Sequence, residues 1–98
     1  MKFEWDGAKD RANQRKHGVS FDQAKELFSS KDYLEIFDEA HSDTEDRFIA
    51  VGLTERGLIV VVWTSPDDET VRIISARLAT PKEEALYQAY MGKKNEKN

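Results

Sequence analysis

The sequence predicts an α+β fold in which a small antiparallel β-sheet carries two N-terminal helices and one C-terminal helix, in the order β-α-α-β-β-β-β-α. Three observations predict this fold. A polar segment between a capping aspartate and a glycine has the signals of a helix, four strand-like segments joined by short turns follow it, and a capped helical segment comes last. Short turns require the strands that they join to be antiparallel.

The first strand and the first helix are defined by Asp6 and Gly18. Residues 3–5 alternate apolar and polar side chains, which is typical of a short strand, here at a sheet edge. Asp6 is the expected N-cap of a helix over residues 7–17, and Gly18 supplies the left-handed residue that ends it. The helical period places the two alanines of this helix against its support and leaves accessible a polar stripe formed by Lys9, Asn13 and Lys16.

The second helix is predicted to begin at Ser20, because Gln23 stands at the position that completes a capping box. Its apolar residues recur at spacings of three and four, and the polar run at residues 29–32 ends it. Four strands follow, over residues 33–38, 47–53, 58–64 and 70–77. The third of them is the most hydrophobic and is placed at the centre of the sheet, and Gly57 can adopt the positive φ that the turn before it needs.

The last helix has the clearest local signals in the chain. Its start is marked by an N-cap, a proline at the first helical position and a capping-box glutamate, which are Thr80, Pro81 and Glu83. The helix is expected to reach about Met91 and to end at Gly92. Residues 1–91 are predicted to form a single domain, and residues 92–98 a polar C-terminal tail.

The composition limits the class of site. The chain has 98 residues, which is enough for one hydrophobic core, and it has no cysteine for a disulfide or a thiolate metal site. Its two histidines lie far apart, and the acidic run at residues 38–46 lacks the spacing and the glycine of a calcium loop, so we expect no metal and no other cofactor. No signal peptide and no apolar run of bilayer length are visible. We therefore expect a cytoplasmic protein that does not bind membranes.

The net charge of -4 argues against nonspecific nucleic-acid binding, but the charges are unevenly distributed. Residues 1–30 hold six basic and five acidic residues, and residues 70–98 hold six and three. Residues 31–69 hold three basic and eleven acidic residues. The pattern fits a local phosphate-binding surface formed by the two ends of the chain and an acidic face for a basic partner, or simply a well-solvated surface.

Two segments carry a resemblance to a known family. Residues 3–21 join an aromatic strand, a helix rich in Lys, Arg and Asn, and the Lys-His-Gly run at residues 16–18, and residues 72–80 have the sequence RIISARLAT. Together they closely resemble the BrnT family of toxins, and the resemblance extends over residues 3–90. It implies a RelE-like fold and a metal-independent endoribonuclease of a type II toxin–antitoxin system, which cleaves RNA and inhibits translation.

The resemblance also implies partners. A BrnA-like antitoxin with a ribbon-helix-helix domain would neutralise the toxin, form a heterotetramer with it and supply all DNA contacts, while the substrate would be RNA. The alternative is a degenerate toxin that cleaves nothing and serves only as the partner and corepressor of an antitoxin. The acidic balance of the chain favours this alternative.

Metal-free RNA cleavage needs a proton acceptor, a proton donor and cations that stabilise the phosphorane, and the family motifs contain four candidates. His17 is the candidate acid or base, although an imidazolium at a helix C-terminus is also stabilised by the helix dipole. Lys16, Arg72 and Arg77 are the candidate cations. The two arginines lie five residues apart and point to opposite faces of a regular strand, so they serve one site only if a bulge intervenes or if Arg77 lies beyond the strand end. Alternatively, one of them is catalytic and the other belongs to a structural ion pair.

Four further residues are candidates for RNA binding. Lys9 and Asn13 belong to the polar stripe of the first helix, Arg47 begins a strand whose sequence also resembles the family, and Tyr87 on the last helix can stack on a base. Each has a structural alternative, such as a solvated helix face for Lys9, an ion pair for Arg47 and packing on the sheet for Tyr87. His41 lies outside the motifs and is interpreted as a solvated loop residue.

Overall fold

The computed structural model describes residues 1–30 and 32–95, and the predicted order of strands and helices is confirmed in them. The strands are β1 Lys2–Glu4, β2 Leu34–Phe37, β3 Arg47–Thr54, β4 Gly57–Thr64 and β5 Thr70–Leu78. The helices are α1 Gly7–His17, α2 Phe21–Lys25 and α3 Pro81–Asn95, with short 3₁₀ segments at Glu26–Ser29 and Glu39–His41. Lys31, in the run predicted to end the second helix, lies outside the described residues.

The five strands form one sheet in the order β1-β5-β4-β3-β2, with the hydrophobic β4 at its centre as predicted. The α+β class is confirmed, but the sheet is mixed rather than wholly antiparallel, because β1 pairs parallel with β5. Lys2 lies opposite Thr70 and Glu4 opposite Arg72 in this pair. The argument from short turns applied only to consecutive strands, whereas the long connection from β1 to β5 permits parallel pairing.

The capping signals are confirmed at all three helix starts. The carboxylate of Asp6 accepts from the backbone N–H groups of residues 8 and 9, and these hydrogen bonds lower its pKa. Ser20 and Gln23 form the reciprocal capping box, and Thr80 and Glu83 form another. Local side-chain-to-backbone bonds need only a few neighbouring residues, so the sequence predicts them well.

One face of the sheet carries the core, covered by α2 and the 3₁₀ segment that follows it. Val19, Phe21, Ala24 and Leu27 are buried against residues of the three long strands, which are Ala50, Ile59, Val61, Val71, Ile73 and Ala76. Phe28 lies at the margin of this core and makes edge contacts with Tyr33 and Trp63. The helix face predicted from spacings of three and four is therefore the face that packs.

The opposite face carries α3. Glu83 in its first turn contacts Arg77, and the hydroxyl of Tyr87 donates to the backbone oxygen of Asp32 just before β2. Leu86 and Tyr90 remain 53% and 38% exposed, so the helix covers the sheet only in part. The predicted end at Gly92 is wrong, because α3 continues to Asn95; a solvated glycine weakens a helix without having to end it. Residues 96–98 of the predicted tail lie outside the described residues.

Helix α1 occupies the edge of β5 beyond the end of β1. Asn13 is 7% exposed, and its side-chain amide donates to the backbone oxygens of Val19 and Ala76 and accepts from the N–H of Ala76. The amide thus replaces a neighbouring strand at an edge that would otherwise leave buried backbone groups unpaired. The alanines predicted to face the support are exposed instead, because the contact side of α1 is polar and centred on Asn13.

No helix within the two described ranges is both long enough and apolar enough to cross a bilayer.

We expect Asn13→Ala to lower the free energy of unfolding by about 3 kcal/mol, because it strips three buried backbone groups of their partner and each such loss costs about 1–3 kcal/mol before water enters. Urea titration followed by circular dichroism measures the change. Gln14→Ala, one residue along on the exposed side of α1, should cost less than about 0.5 kcal/mol. Equal losses in the two variants would contradict the role of the amide.

Candidate active site

A groove of about 240 Å³ lies between α1 and the exposed side of β5. It is lined by residues of both elements, namely Lys9, Ala12, Asn13, Lys16, His17, Ile74 and Ser75. Four of the eight predicted site residues therefore meet in one place, and all four come from α1. Their positions follow from the ends of this helix, where Asp6 caps the start and Gly18, at φ 72°, ends it.

His17 and Lys16 lie side by side in the groove, at the C-terminal end of α1. His17 is half-buried, Lys16 is exposed, and both belong to a basic last turn that complements the negative end of the helix dipole. Within residues 1–30 and 32–95 the imidazole of His17 has no hydrogen-bond partner and Lys16 has no carboxylate within ion-pair distance. A proton carrier and an uncompensated cation are thus adjacent at the same opening.

Asn13 lines the groove but has a different task from the one predicted. Both N–H donors of its amide are used by backbone oxygens, so no donor remains for RNA. The structure argues against the predicted RNA-binding role and makes Asn13 a positioning residue that holds α1 against β5. The sequence places Asn13 in the same polar stripe as Lys9 and Lys16, and it does not show that Asn13 alone of the three is buried.

A β-bulge in β5 decides where the two predicted arginines point. Val62 lies opposite Ser75 and Trp63 opposite Ile73, so Ile74 is an extra residue without a partner in β4. The extra residue reverses the alternation, and Arg72, Ser75 and Arg77 consequently share one face of the sheet, opposite Thr64, Val62 and Val60. The condition under which both arginines serve one site is therefore met.

Arg77 is held by α3. Its guanidinium makes two parallel bonds of 2.7 Å to the carboxylate of Glu83 and a third, of 3.3 Å, to the backbone oxygen of Leu78. The bidentate pair raises the pKa of Arg77 and lowers that of Glu83 to about 2. The sequence allowed a structural ion pair for one of the two arginines, but it indicated only a capping role for Glu83 and did not identify it as the partner. The guanidinium faces the second helix layer and does not line the groove.

Arg72 pairs with Glu4 of β1 at 2.7 Å, and both side chains are about half exposed, at 48% and 46%. Because exposed pairs contribute only about 0–1 kcal/mol, an incoming anion can displace Glu4 at little cost. Arg72 therefore differs from Arg77 in how readily it can reach a ligand. Both lie on the face of Ser75, on either side of it along the strand.

The remaining predicted residues lie away from the groove. Arg47 stands opposite Thr64 at the far end of β4, and Tyr87 is occupied in tying α3 to the start of β2. His41, interpreted from sequence as a loop residue, pairs with Asp38 at 3.0 Å and has a side chain that is 69% exposed. Ser75 and Ile74 were not predicted, because the bulge that brings them to the groove has no recognisable sequence signal.

Two other features do not coincide with this chemistry. A larger groove of about 430 Å³ between β1 and α2 is mainly apolar and contains none of the predicted residues, its lining being Met1, Phe3, Asp22, Lys25, Glu26, Phe28 and Ser29. In the part of the chain that the structure describes, no three His, Cys, Asp or Glu side chains are grouped to hold a metal ion. The groove beside α1 is the place where the predicted catalytic chemistry is concentrated.

Comparison with known proteins agrees with this architecture. Residues 5–83 match the family model described as "Ribonuclease toxin, BrnT, of type II toxin-antitoxin system". Among solved structures, the 1.1 Å crystal structure of the Brucella abortus ribonuclease toxin BrnT is similar, with a TM-score of 0.63 and 24% identity over 82% of this chain and 97% of that chain. This structural likeness concerns the fold. A search of the curated proteins gives no match.

The Arg77–Glu83 pair predicts a pH dependence of stability. Since the pKa of Glu83 falls from 4.5 to about 2 in the folded protein, the stabilisation is complete above about pH 4.5 and is lost as the pH falls toward about 2. After allowance for solvent screening, the pair should contribute about 1–2 kcal/mol. Glu83→Gln should remove that part of the acid-induced loss, measured by urea titration at about pH 5 and about pH 2.5.

The matched control is Glu84→Gln, which neutralises an exposed carboxylate in the same helical turn. It should keep the dependence of the parent protein. If Glu83→Gln also keeps it, the pair does not stabilise the fold in the way that its geometry indicates.

Proposed function

The chain belongs to the BrnT family of type II ribonuclease toxins, and we propose that it is a metal-independent endoribonuclease that cleaves RNA and inhibits translation. The observation that carries this proposal is the groove in which Lys9, Lys16 and His17 of α1 meet Ser75 of β5. A type II toxin implies an antitoxin partner. The groove offers cations and an imidazole rather than a set of acidic ligands, which is the donor set that metal-free phosphodiester cleavage needs.

The proposed reaction is an attack of the ribose 2′-oxygen on the adjacent phosphorus. A base takes the 2′-hydroxyl proton, the new P–O bond forms, the bond to the 5′-oxygen breaks, and an acid returns a proton to that leaving oxygen. His17 brings an imidazole into the groove, and imidazole is the side chain most often used as a general acid or base, so we assign one of these two proton-transfer roles to it. A well-placed acid or base contributes typically about 10²–10⁴-fold.

The cationic side chains differ in how freely they can contact a phosphate group. Lys16 and Lys9 line the groove and are proposed to bind the phosphate and stabilise its growing negative charge. Arg77 is proposed to act from the strand side while Glu83 fixes its orientation, as carboxylates often do for guanidinium groups. Arg72, whose exposed partner is easily displaced, is proposed to hold the RNA strand on the same face.

The partner is proposed to be a BrnA-like antitoxin with a ribbon-helix-helix domain. It would cover the active face, assemble with the toxin into a heterotetramer and make the DNA contacts of the complex. The acidic central region, residues 31–69, suits a basic segment of such a partner. Like its substrate RNA, the protein is proposed to be located in the cytoplasm.

A second candidate function is that of a toxin-like module that binds an antitoxin and cleaves nothing. The observation that favours it is that each predicted catalytic arginine already has a carboxylate partner, Glu4 for Arg72 and Glu83 for Arg77. Each pair cancels the positive charge that a phosphorane would use. The net charge of -4 points in the same direction.

Cleavage of RNA by the purified chain, freed of antitoxin, tests the main proposal. We expect activity in excess EDTA, and we expect His17→Gln to reduce the cleavage rate by about 100-fold or more, because the proton carrier is lost. His41→Gln is the matched control, since His41 is the other histidine and lies in an exposed loop. Loss of activity with the chelator, or equal activity in both variants, would exclude the proposed mechanism.

Induced expression separates the two candidate functions. The nuclease should arrest growth with loss of RNA, and His17→Gln should relieve the arrest while it still binds the antitoxin. A module without catalysis should be harmless when expressed, and both histidine variants should behave like the parent chain.

A further inference from the structure

Three side chains, one from each of the three long strands, form a row across the sheet. Arg47 of β3 lies opposite Thr64 of β4, and Thr64 lies opposite Arg72 of β5, so all three project from the same face. Since neighbouring strands are about 4.8 Å apart, the two arginines flank the threonine with their Cα atoms roughly 10 Å from each other. Two guanidinium groups can therefore converge above one hydroxyl.

Two members of the row carry buried donors without a partner. Thr64 is 2% exposed, and its Oγ1 has no hydrogen bond within the described residues. The Nε of Arg47 is likewise buried and without a partner. Buried polar groups are nearly always hydrogen-bonded, so two such atoms in adjacent cross-strand positions need an explanation. A bound group that accepts from both of them is the simplest one.

The chemistry of the row specifies an anion. The guanidinium N–H groups can only donate, and the hydroxyl of Thr64 can donate to an acceptor placed above it. Arg72 adds a second guanidinium group. It is paired with the exposed carboxylate of Glu4, and a phosphate can displace that carboxylate. Guanidinium forks match the oxygens of a phosphate in geometry as well as in charge.

We infer that Arg47, Thr64 and Arg72 form a phosphate subsite for the RNA strand, distinct from the groove that holds the scissile phosphate. The inference deepens the proposed ribonuclease function and rests on it. Arg72 and Ser75 share a face of β5, and at about 3.3 Å per residue they are roughly 10 Å apart along the strand. One RNA strand running along β5 can therefore place one phosphate in the groove and a neighbouring one on the row.

Two variants test the subsite without relying on catalysis. Thr64→Val keeps the shape of the side chain and removes the hydroxyl, and because that hydroxyl has no partner in the unliganded protein, the variant should fold at least as stably as the parent. Arg47→Gln removes the flanking charge. Arg15→Gln is the control, since Arg15 is an exposed arginine of α1 that does not line the groove.

The probe is a short single-stranded RNA in which every ribose carries a 2′-O-methyl group, so that it binds but cannot be cleaved. By fluorescence anisotropy, Thr64→Val should raise the Kd by about tenfold, as expected for a lost hydrogen bond to a charged group. Arg47→Gln should weaken binding at least as much and reduce the slope of log Kd against log salt by about 0.7, which corresponds to one phosphate contact. Arg15→Gln should leave both quantities unchanged.

Parent-like affinity and salt slope in both Thr64→Val and Arg47→Gln would overturn the inference. If inorganic phosphate shifts the NMR signal of the Arg47 side chain while RNA affinity stays the same in both variants, the row binds small anions only and the inference also fails. Unchanged RNA binding with weakened antitoxin binding would assign the row to an acidic protein segment, again against the inference.

These outcomes are separate from those of the nuclease proposal. A chain that binds the methylated RNA through Arg47 and Thr64 but cleaves no RNA would retain the subsite and lose the nuclease. A chain that cleaves RNA equally well with either substitution, and binds the probe equally well, would retain the nuclease and lose the subsite.

Discussion

The open edge of β5 is the constraint on which the site depends. β1 pairs only with Thr70, Val71 and Arg72, so the remainder of β5 needs another partner for its outward backbone groups. The amide of Asn13 supplies it at Ala76 and also donates to the carbonyl oxygen of Val19, just beyond the Gly18 turn. A single side chain thus fixes the position of α1 along the strand and the path of the chain that leaves it. The groove forms because α1, rather than another strand, lies beside this part of β5.

The second determinant is one extra residue in β5. Without the extra residue Ile74, Arg72 would project from the face opposite to that of Ser75 and Arg77. Bulges occur often beside active sites, because they change the direction of a side chain without changing the fold. Here the bulge places Arg72, Ser75 and Arg77 on one face, next to the edge that α1 occupies. The helix and the bulge together join the two ends of the sequence in one region.

The extent to which the sequence predicts this structure depends on the range of each interaction. The caps at Asp6, Ser20 and Thr80 were predicted because every partner lies within a few residues. The pairing of β1 with β5 and the bond between Asn13 and Ala76 join residues more than sixty positions apart, and no local pattern encodes them. The alternation of side chains along a strand showed that Arg72 and Arg77 could share a face only with a bulge between them. It could not show that the bulge is present, because the bulge has no sequence signature. An ion pair of one arginine was among the alternatives, but neither Glu4 nor Glu83 was named as a partner.

The two arginine pairs differ in how readily their guanidinium groups can contact an incoming anion. Glu4 and Glu83 both neutralise a guanidinium, but one pair is exposed on the sheet edge while the other is bidentate and backed by α3. Exchange of the carboxylate for another anion is therefore easier at Arg72 than at Arg77, because the pair of Arg77 is bidentate and less exposed. This difference supports the proposed division of roles, in which Arg72 holds the RNA strand and Arg77 acts in an orientation that Glu83 fixes. Lys9 and Lys16 of α1 have no such partners within the described residues and line the groove, which is why they are the cations proposed to bind the scissile phosphate.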